Sequence, residues 1–514
     1  MARMSALTPW RAATIEATPH RLPARSPWAA VDRLAAAGSR PVDGASAALF
    51  RIAFGLLGLL GVARFLLHGW IDEFYVQPAY HFHYFGFAWV QPWPAWGMYL
   101  HFALMGAAAL AVALGYRYRL AVATYFLLFT YVELIDQTTY LNHYYWVSLA
   151  ALLMLFMPLG RVASLDARLG RVEARSTVPV WVLWTLRAQL AAVYLFAGLA
   201  KLNPDWLLEA QPLSIWLANH DHLPLLGPLL ALPATAYLFS WAGAAFDCTI
   251  VVWLLWPRTR PFAYLAVVAF HTLTWLLFPI GVFPWLMIAA TLLFFPPDWP
   301  RRLTRRLRLP GKPIEAAPPT ATDRPGPSPV RRATVLPLPA RPIEVPPASI
   351  ASHRPAPVSR RARAAVLALL AFAALQLLLP LRHYAYPSNV RWSEDGYRFS
   401  WRVMLSEKAG FAEFEVLDPT TGDHWRVSPA GYFTPLQVRI MSTQPDMILQ
   451  AAHIIRDDFA ARGHPTVEVR ADVLVAFNGR APQPLIDPTV DLAATPYRPG
   501  PKSWVLPVAP DEGG

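Results

Sequence analysis

The stretch VLWTLRAQLAAVYLFAGLAKLNPDW (182–206) carries Arg187, Gln189, Tyr194 and Lys201 inside an otherwise apolar run. Arg187, Tyr194 and Lys201 are seven residues apart. On a helix each step drifts only about 20°, so the three share one face roughly 21 Å long. Ionisable groups in so apolar a run are expensive and are functional candidates. Arginine stays charged at any usable pH, whereas a desolvated lysine can lose its proton and act as a base. A lysine at a helix end can also snorkel to the interface, so a bland and a chemical reading of Lys201 stand side by side. The residue type makes the second worth pursuing: Lys201, Lys312, Lys408 and Lys502 are the only lysines among 45 basic residues. Tyr140, Asn142 and His143 head another apolar run in TYLNHYYWVSL, and His271 lies in a third, AFHTLTWLLFPIG. A lone buried histidine is ordinarily hydrogen-bonded structure, but two histidines and a lysine near one membrane face raise the prospect of a shared site. Glu133 and Asp136 are expected to pair with Arg187 or with these histidines. No metal is expected, because His81 and His83 are too sparse a set. The single Cys248 excludes an internal disulfide framework and any multi-cysteine centre. No nucleophile elbow, phosphate loop or dinucleotide fingerprint occurs.

The elements that must position these residues are membrane helices. Of 514 residues 55% are hydrophobic and 15% charged, against about 45–50% and about 25% in soluble chains. The mean hydropathy is +0.31, and 21 Trp, 19 Tyr and 27 Phe suit a membrane interface. Apolar runs near the ~20 residues that cross a bilayer fall at about 47–69, 97–115, 119–135, 143–159, 180–201, 233–256, 261–278, 280–296 and 363–383. That predicts about nine transmembrane helices. The Pro-interrupted segment 203–232 reads as interfacial or re-entrant pieces, with Asn203-Pro204-Asp205 stopping one helix and capping the next. No cleavable signal peptide is expected in the first 46 residues, which lack an apolar core segment.

The net charge of +12 is placed as topology, not as a nucleic-acid surface. Arg-rich connections precede the first span and join spans two to three, four to five, six to seven and eight to nine, while the alternate connections are nearly bare. Basic loops mark the cytoplasmic side, so the tail after 384 is expected outside the cytoplasm, which in a bacterium is the periplasm. The predicted organisation is a basic cytoplasmic tail (1–46), a membrane domain (47–300), a Pro/Arg-rich cytoplasmic linker (301–362), a last span (363–384) and an extracytoplasmic β-rich α+β domain (385–507). In that domain VEVRADVLVAF (467–477) alternates like a half-buried strand. FAEFEVLDPTTGDHWRV (411–427) reads as a hairpin about Thr421-Gly422. A helix with Thr443 as N-cap and Gly463 as terminator is predicted between them.

The chain resembles the vitamin K-dependent gamma-glutamyl carboxylases, including bacterial relatives with an HTTM domain. The resemblance runs through YLNHYY (140–145), LRAQLAAVYLFAGLAKLNPDW (186–206) and FHTLTWLLFPIGVFPWLMIAATLLFFPPDWPRRL (270–303). It continues in GYRFSWRVML (396–405), GYFTP (431–435), DMILQAAHII (446–455) and DPTVDLA (487–493). It implies a membrane-bound lyase that takes a proton from a naphthohydroquinone (menaquinol or phylloquinol type) and lets the anion react with O2. The strong base so formed removes a γ-proton from a peptidyl glutamate, and CO2 captures the carbanion while the quinone leaves as its epoxide. By resemblance Lys201 is the initiating base, with His143 beside it. Asn142, His143, His271 and Tyr194 face the quinone. Tyr397, Trp401, Lys408 and Arg439 fall on the side of a glutamyl peptide or protein. Ser406 and Lys408 stand where the animal enzymes place a His and an Arg. No metal is implied, because the quinol carries the electrons; membrane lipids are the other expected partner.

Two further readings are carried: a quinol epoxidase or oxygenase-like enzyme acting on a non-peptide substrate, and a non-catalytic membrane protein whose outer domain binds a partner. Convergence of Lys201, Asn142, His143 and His271 on one pocket separates them. The topology is tested with reporters: one fused after Gly514 is expected on the extracytoplasmic side, and one inserted within 309–361 on the cytoplasmic side. Both reporting the same side would refute the span count.

Overall fold

The computed structural model describes residues 27–224, 226–307 and 358–509. The first 26 residues of the basic tail, residues 308–357 of the Pro/Arg-rich linker and the last five residues lie outside them. Seven described helices are long and apolar enough to cross a membrane. We number the main helices α1 (Ala45–Leu67), α2 (Ala95–Leu114), α3 (Tyr118–Ile135), α4 (Asn142–Phe156), α5 (Val180–Lys201), α6 (Pro233–Leu255), α7 (Arg260–Leu277), α8 (Phe283–Thr291) and α9 (Arg360–Leu381).

Two of the nine predicted spans form shorter helices that fall below that length. The run at 143–159 forms α4, whose 15 residues extend roughly 22 Å. The run at 280–296 forms α8, prolonged only by a 3-10 turn, Leu292–Phe294. Proline is the physical cause. Pro158 pushes Met157 into extended backbone and ends α4, while Pro296 and Pro297 end the second run. Both short helices still connect the two ends of the bundle. Near one end Tyr118 Oη donates to Met154 O at 2.6 Å, and Ser46 N donates to Pro297 O at 3.0 Å. At the other end Asn142 and Pro279 lie beside the C-terminal domain.

The end that gathers the Arg-rich connections is knotted by polar contacts. Arg51 is fully buried and donates to the carbonyls of Leu159 (2.8 Å), Val162 (3.1 Å) and Ala163 (2.8 Å). Asp166 accepts from the first backbone amides of α3, Arg117 and Tyr118, both at 2.9 Å. Gly115, at φ +65, is required there: a Cβ would stand 2.5 Å from Ser164 Cβ and 2.6 Å from the Arg51 guanidinium. Arg187 and Asp136 do not meet. Arg187 donates to Leu293 O (2.7 Å) and Phe295 O (3.2 Å), and Asp136 holds His81 at 3.1 Å. Gln189 bonds Gln376 of α9 at 3.2 Å.

After α9 the C-terminal domain forms four antiparallel strands, β1 (Lys408–Leu417), β2 (His424–Val427), β3 (Glu468–Phe477) and β4 (Gln483–Pro484), in the order β2-β1-β3-β4. The predicted hairpin turns at Gly422, φ +79. Alternation sets one face inward, where Ala412, Phe414 and Val416 oppose Val473, Ala471 and Val469. Against that face packs α11 (Pro445–Ala461), preceded by α10 (Pro435–Met441). Gln444, not Thr443, occupies the N-cap of α11, because Pro445 pre-sets the first helical position. Gly463 follows the helix end at φ +101, as expected.

The C-terminal domain is bolted to the site end of the bundle. Asn203 caps the short helix Pro204–Leu207 as predicted, accepting from Trp206 N at 3.1 Å. The next residue, Asp205, is buried and receives Arg391 (2.9 Å), Asn478 (2.7 Å) and Arg480 (3.1 Å). Nearby, Gln437 donates to Asp136 at 2.9 Å. Burial by itself would raise the Asp205 carboxyl, but the hydrogen bond from Arg480, the Arg391 charge and the Asn478 amide hold it below its ordinary 3.8. A carboxylate held low stabilises the fold above its unfolded pKa, and that contribution is lost as pH falls through the folded value. The melting temperature in detergent is therefore expected to be insensitive to this group from pH 7 to 5 and to fall below about pH 4. Asp205→Asn should melt lower at pH 7 and show a flatter acid response. A variant with the wild-type acid response would show that Asp205 is not its source.

Candidate active site

The last two turns of α5 place Tyr194, Ala197 and Lys201 along one stripe, the i, i+3, i+7 spacing of a helix face. All three line a cavity of about 500 Å³ at the site end of the bundle. Helix α6 approaches closely at Gly198, where a Cβ would lie 2.7 Å from Cys248 N and 3.0 Å from Asp247 C. Only glycine permits that approach, and it sets Asp247 Oδ2 2.7 Å from Lys201 Nζ, both side chains buried. The Trp206 ring lies 5.2 Å from the same nitrogen. Lys201 therefore does not snorkel; its amine turns inward to a carboxylate.

The other walls come from distant parts of the chain. Helix α7 presents His271, whose Nε2 lies 2.9 Å from Tyr194 Oη and whose Nδ1 is buried without a partner. The head of α4 presents Asn142 and His143, and the His143 ring stacks on Phe283 with centroids 5.1 Å apart. Phe239, Phe270 and Phe278 supply apolar wall. The roof is the C-terminal segment 394–408, including Tyr397 and Lys408. It is fastened to the head of α4 and the turn before it: Asn142 Nδ2 donates to Arg402 O at 2.8 Å, and Phe399 N donates to Tyr140 Oη at 2.7 Å. Phe399, Trp401 and Met404 hold φ of 61, 56 and 54°, a left-handed conformation that bulky residues adopt at a cost of order 1–3 kcal/mol. Such strain persists only where surrounding contacts over-determine the backbone, and here those contacts are the bonds to α4 and the turn before it.

The roof is rich in charge. Lys408 Nζ donates to Glu394 Oε1 at 2.6 Å and to Trp392 O at 3.0 Å. Burial lowers its pKa and Glu394 opposes that shift. Arg398 is held by Asp446 at 2.6 Å. Burial opposes its charge too, but the Asp446 carboxylate leaves its pKa raised.

The residues singled out in the sequence divide accordingly. Lys201, Asn142, His143, His271, Tyr194, Tyr397 and Lys408 share the one cavity. Trp401 does not line it. Its ring is buried against Tyr145, centroids 4.9 Å apart, and braces the roof from behind. Arg439 is exposed and borders a second cavity of about 380 Å³ that also holds Glu133, on the far side of His143. Arg187 points elsewhere, to the carbonyls at the end of α8. No cluster of three or more His, Cys, Asp or Glu that could hold a metal occurs among the described residues. Sequence reasoning passed over Asp247, although it breaks the apolar run GAAFDCTIVV in the way that made Lys201 conspicuous. It also passed over Arg402, which no spacing rule distinguishes from its neighbours.

Residues 39–299 match the HTTM domain, and residues 361–511 match the vitamin K-dependent gamma-carboxylase lumenal domain. No solved structure matches the chain. The first match takes in half of the chain, and the two together contain every residue that lines the cavity. The chain therefore belongs to the HTTM-containing family of vitamin K-dependent gamma-carboxylases.

Proposed function

We propose that this chain is a vitamin K hydroquinone-dependent carboxylase of glutamyl residues in a bacterial cell membrane, coupling carboxylation to quinol epoxidation at a site on the periplasmic side. One observation carries the proposal: Lys201, Asn142, His143, His271 and Tyr194, from three separate stretches of sequence, converge on a single largely apolar cavity. Its volume of about 500 Å³ lies within the range of small-molecule sites, about 300–1,000 Å³. The residues fit a flat ring bearing two oxygens. Phenylalanine walls suit the ring, and the partnerless Nδ1 of His271 is a polar atom whose burial costs free energy until a ligand oxygen satisfies it.

When bound, the hydroquinone supplies the electrons and, with O2, drives removal of the γ-proton that CO2 replaces. The chain contributes proton handling and enclosure. In its neutral form Lys201 Nζ receives a proton at the cavity wall, and Asp247 Oδ2 at 2.7 Å accepts from the ammonium so formed and offsets its charge. Tyr194 Oη fixes the orientation of His271 through their 2.9 Å bond. Asn142 is held by Arg402 O and Tyr140 Oη, so the head of α4 and the roof keep one spacing. The strained segment 399–404 roofs the cavity through Arg402, Val403 and Met404, and displacement of water by a bound co-substrate would strengthen the electrostatic contacts inside it.

Purified full chain with vitamin K hydroquinone, O2 and labelled bicarbonate is expected to form epoxide and to label a glutamyl peptide. Epoxide without label would redirect the reading to an epoxidase acting on another substrate. The ion pair permits a sharper test. Lys201→Arg keeps a cation beside Asp247 but cannot serve as a base, so a purely structural lysine would tolerate it. Lys201→Arg and Lys201→Ala should both insert normally and lose epoxidation and carboxylation together, by at least about 100-fold, the usual scale of general-base catalysis. A small added amine should partly restore Lys201→Ala. Near-normal turnover of Lys201→Arg would make Lys201 an anchor and remove the base from the mechanism. Asp247→Asn leaves an ammonium buried without its counter-charge, which costs about 3–5 kcal/mol. It should lower both turnover and melting temperature; full activity would show that the pair is dispensable.

A further inference from the structure

The cations that line the cavity sort by their partners. Lys201 is paired with Asp247, Lys408 with Glu394 and Arg398 with Asp446, at 2.7, 2.6 and 2.6 Å. Arg402 lines the same cavity and is 8% exposed. Its Nη2 meets a histidine nitrogen, His383 Nε2 at 2.8 Å, and its Nε is buried with no partner. Among the described residues no carboxylate forms an ion pair with it, and Glu394, the nearby acid of the roof, is committed to Lys408. A buried guanidinium without a counter-charge is costly, and it presents a planar fork that matches a carboxylate.

We propose that Arg402 is the residue that receives the substrate's side-chain carboxylate in this cavity. This rests on the carboxylase reading for the identity of the acid, and it reassigns to Arg402 the role that the resemblance implied for Lys408, whose charge is already taken. Geometry places the interaction well. The carbonyl of Arg402 accepts from Asn142 Nδ2 at 2.8 Å, so the guanidinium is tied through one residue to the helix head that carries His143. A carboxylate held there lies in the same enclosure as Lys201 and His271. A fixed positive charge also stabilises the negative charge that develops when a proton leaves the carbon next to a carboxylate.

The test compares an acid with its amide. Trp206 and Trp216 line the cavity, so binding of N-acetyl-glutamic acid α-amide and of N-acetyl-glutamine α-amide to the full chain can be followed by tryptophan fluorescence. Wild type is expected to bind the acid at least tenfold more tightly than the amide. Arg402→Gln should lose that preference, and Arg402→Lys, which keeps the charge without the fork, should weaken acid binding at least threefold. For a glutamyl peptide the KM of Arg402→Lys should rise by more than its kcat falls. No acid preference in wild type would overturn the proposal, as would a preserved preference in folded Arg402→Gln. If Arg402→Gln does not fold, unchanged acid binding by Arg402→Lys is the overturning result. Arg402-dependent acid binding without any peptide carboxylation would uphold Arg402 and remove the carboxylase reading. Peptide carboxylation with an unchanged KM in both variants would do the reverse.

Discussion

The site depends on one contact, the 2.7 Å pair between Lys201 and Asp247. Two opposite charges in an apolar bundle carry a desolvation cost of several kcal/mol each, and only close geometry offsets it. That geometry exists because Gly198 lets the backbone of α6 come within contact of α5. The same approach sets the orientation of the rest of the wall. With α5 turned so that Lys201 faces α6, Tyr194 two turns earlier faces His271 on α7, and the stripe between them opens onto the cavity. Replacing the pair by apolar residues would suit the bundle's stability at least as well. A buried ionisable pair at the edge of a cavity is therefore weak evidence of a stabilising role.

A second constraint sits above it. The bundle leaves the cavity open toward the C-terminal domain, and the roof is built from backbone that no strand or helix stabilises. It is held in a costly conformation by Asn142, by Tyr140 and by the packing of Trp401 on Tyr145. The junction at Asp205, where two arginines and an asparagine meet one carboxylate, prevents the domain from drifting off the bundle. Each region has a main apolar core, Trp401 and Phe82 reaching across into the other's, and polar contacts at Asp205, Asp136 and Asn142 join them. Strain and buried charge collect at the boundary between them, in the roof segment and around the cavity it covers.

Much of the bundle was legible in the sequence, since apolar length and the alternation of Arg-rich connections depend only on local composition. The difference came where proline shortened an apolar run, at α4 and α8, leaving helices shorter than the runs that predicted them. In the C-terminal domain the period-2 alternation located β1 and β3. The cap of α11 was misplaced by one residue, because Pro445 outranks the side-chain capping ability of Thr443.

Seven-residue spacing in a predicted helix could establish that Arg187, Tyr194 and Lys201 share a face, and residue chemistry could mark Lys201 as the one able to release a proton. Neither could name what that face would meet. Arg187 finds carbonyls just beyond α8 and Lys201 finds Asp247, although both look equally stranded in the linear chain. Lys408 looked like a free cation until Glu394, 14 residues earlier, folded onto it. Arg402 carried no signal at all until its neighbours had claimed every nearby acid. Composition and periodicity act within an element and so are written along the chain. Charge compensation is decided between elements, by which backbones approach closely enough, and only the tertiary structure determines that.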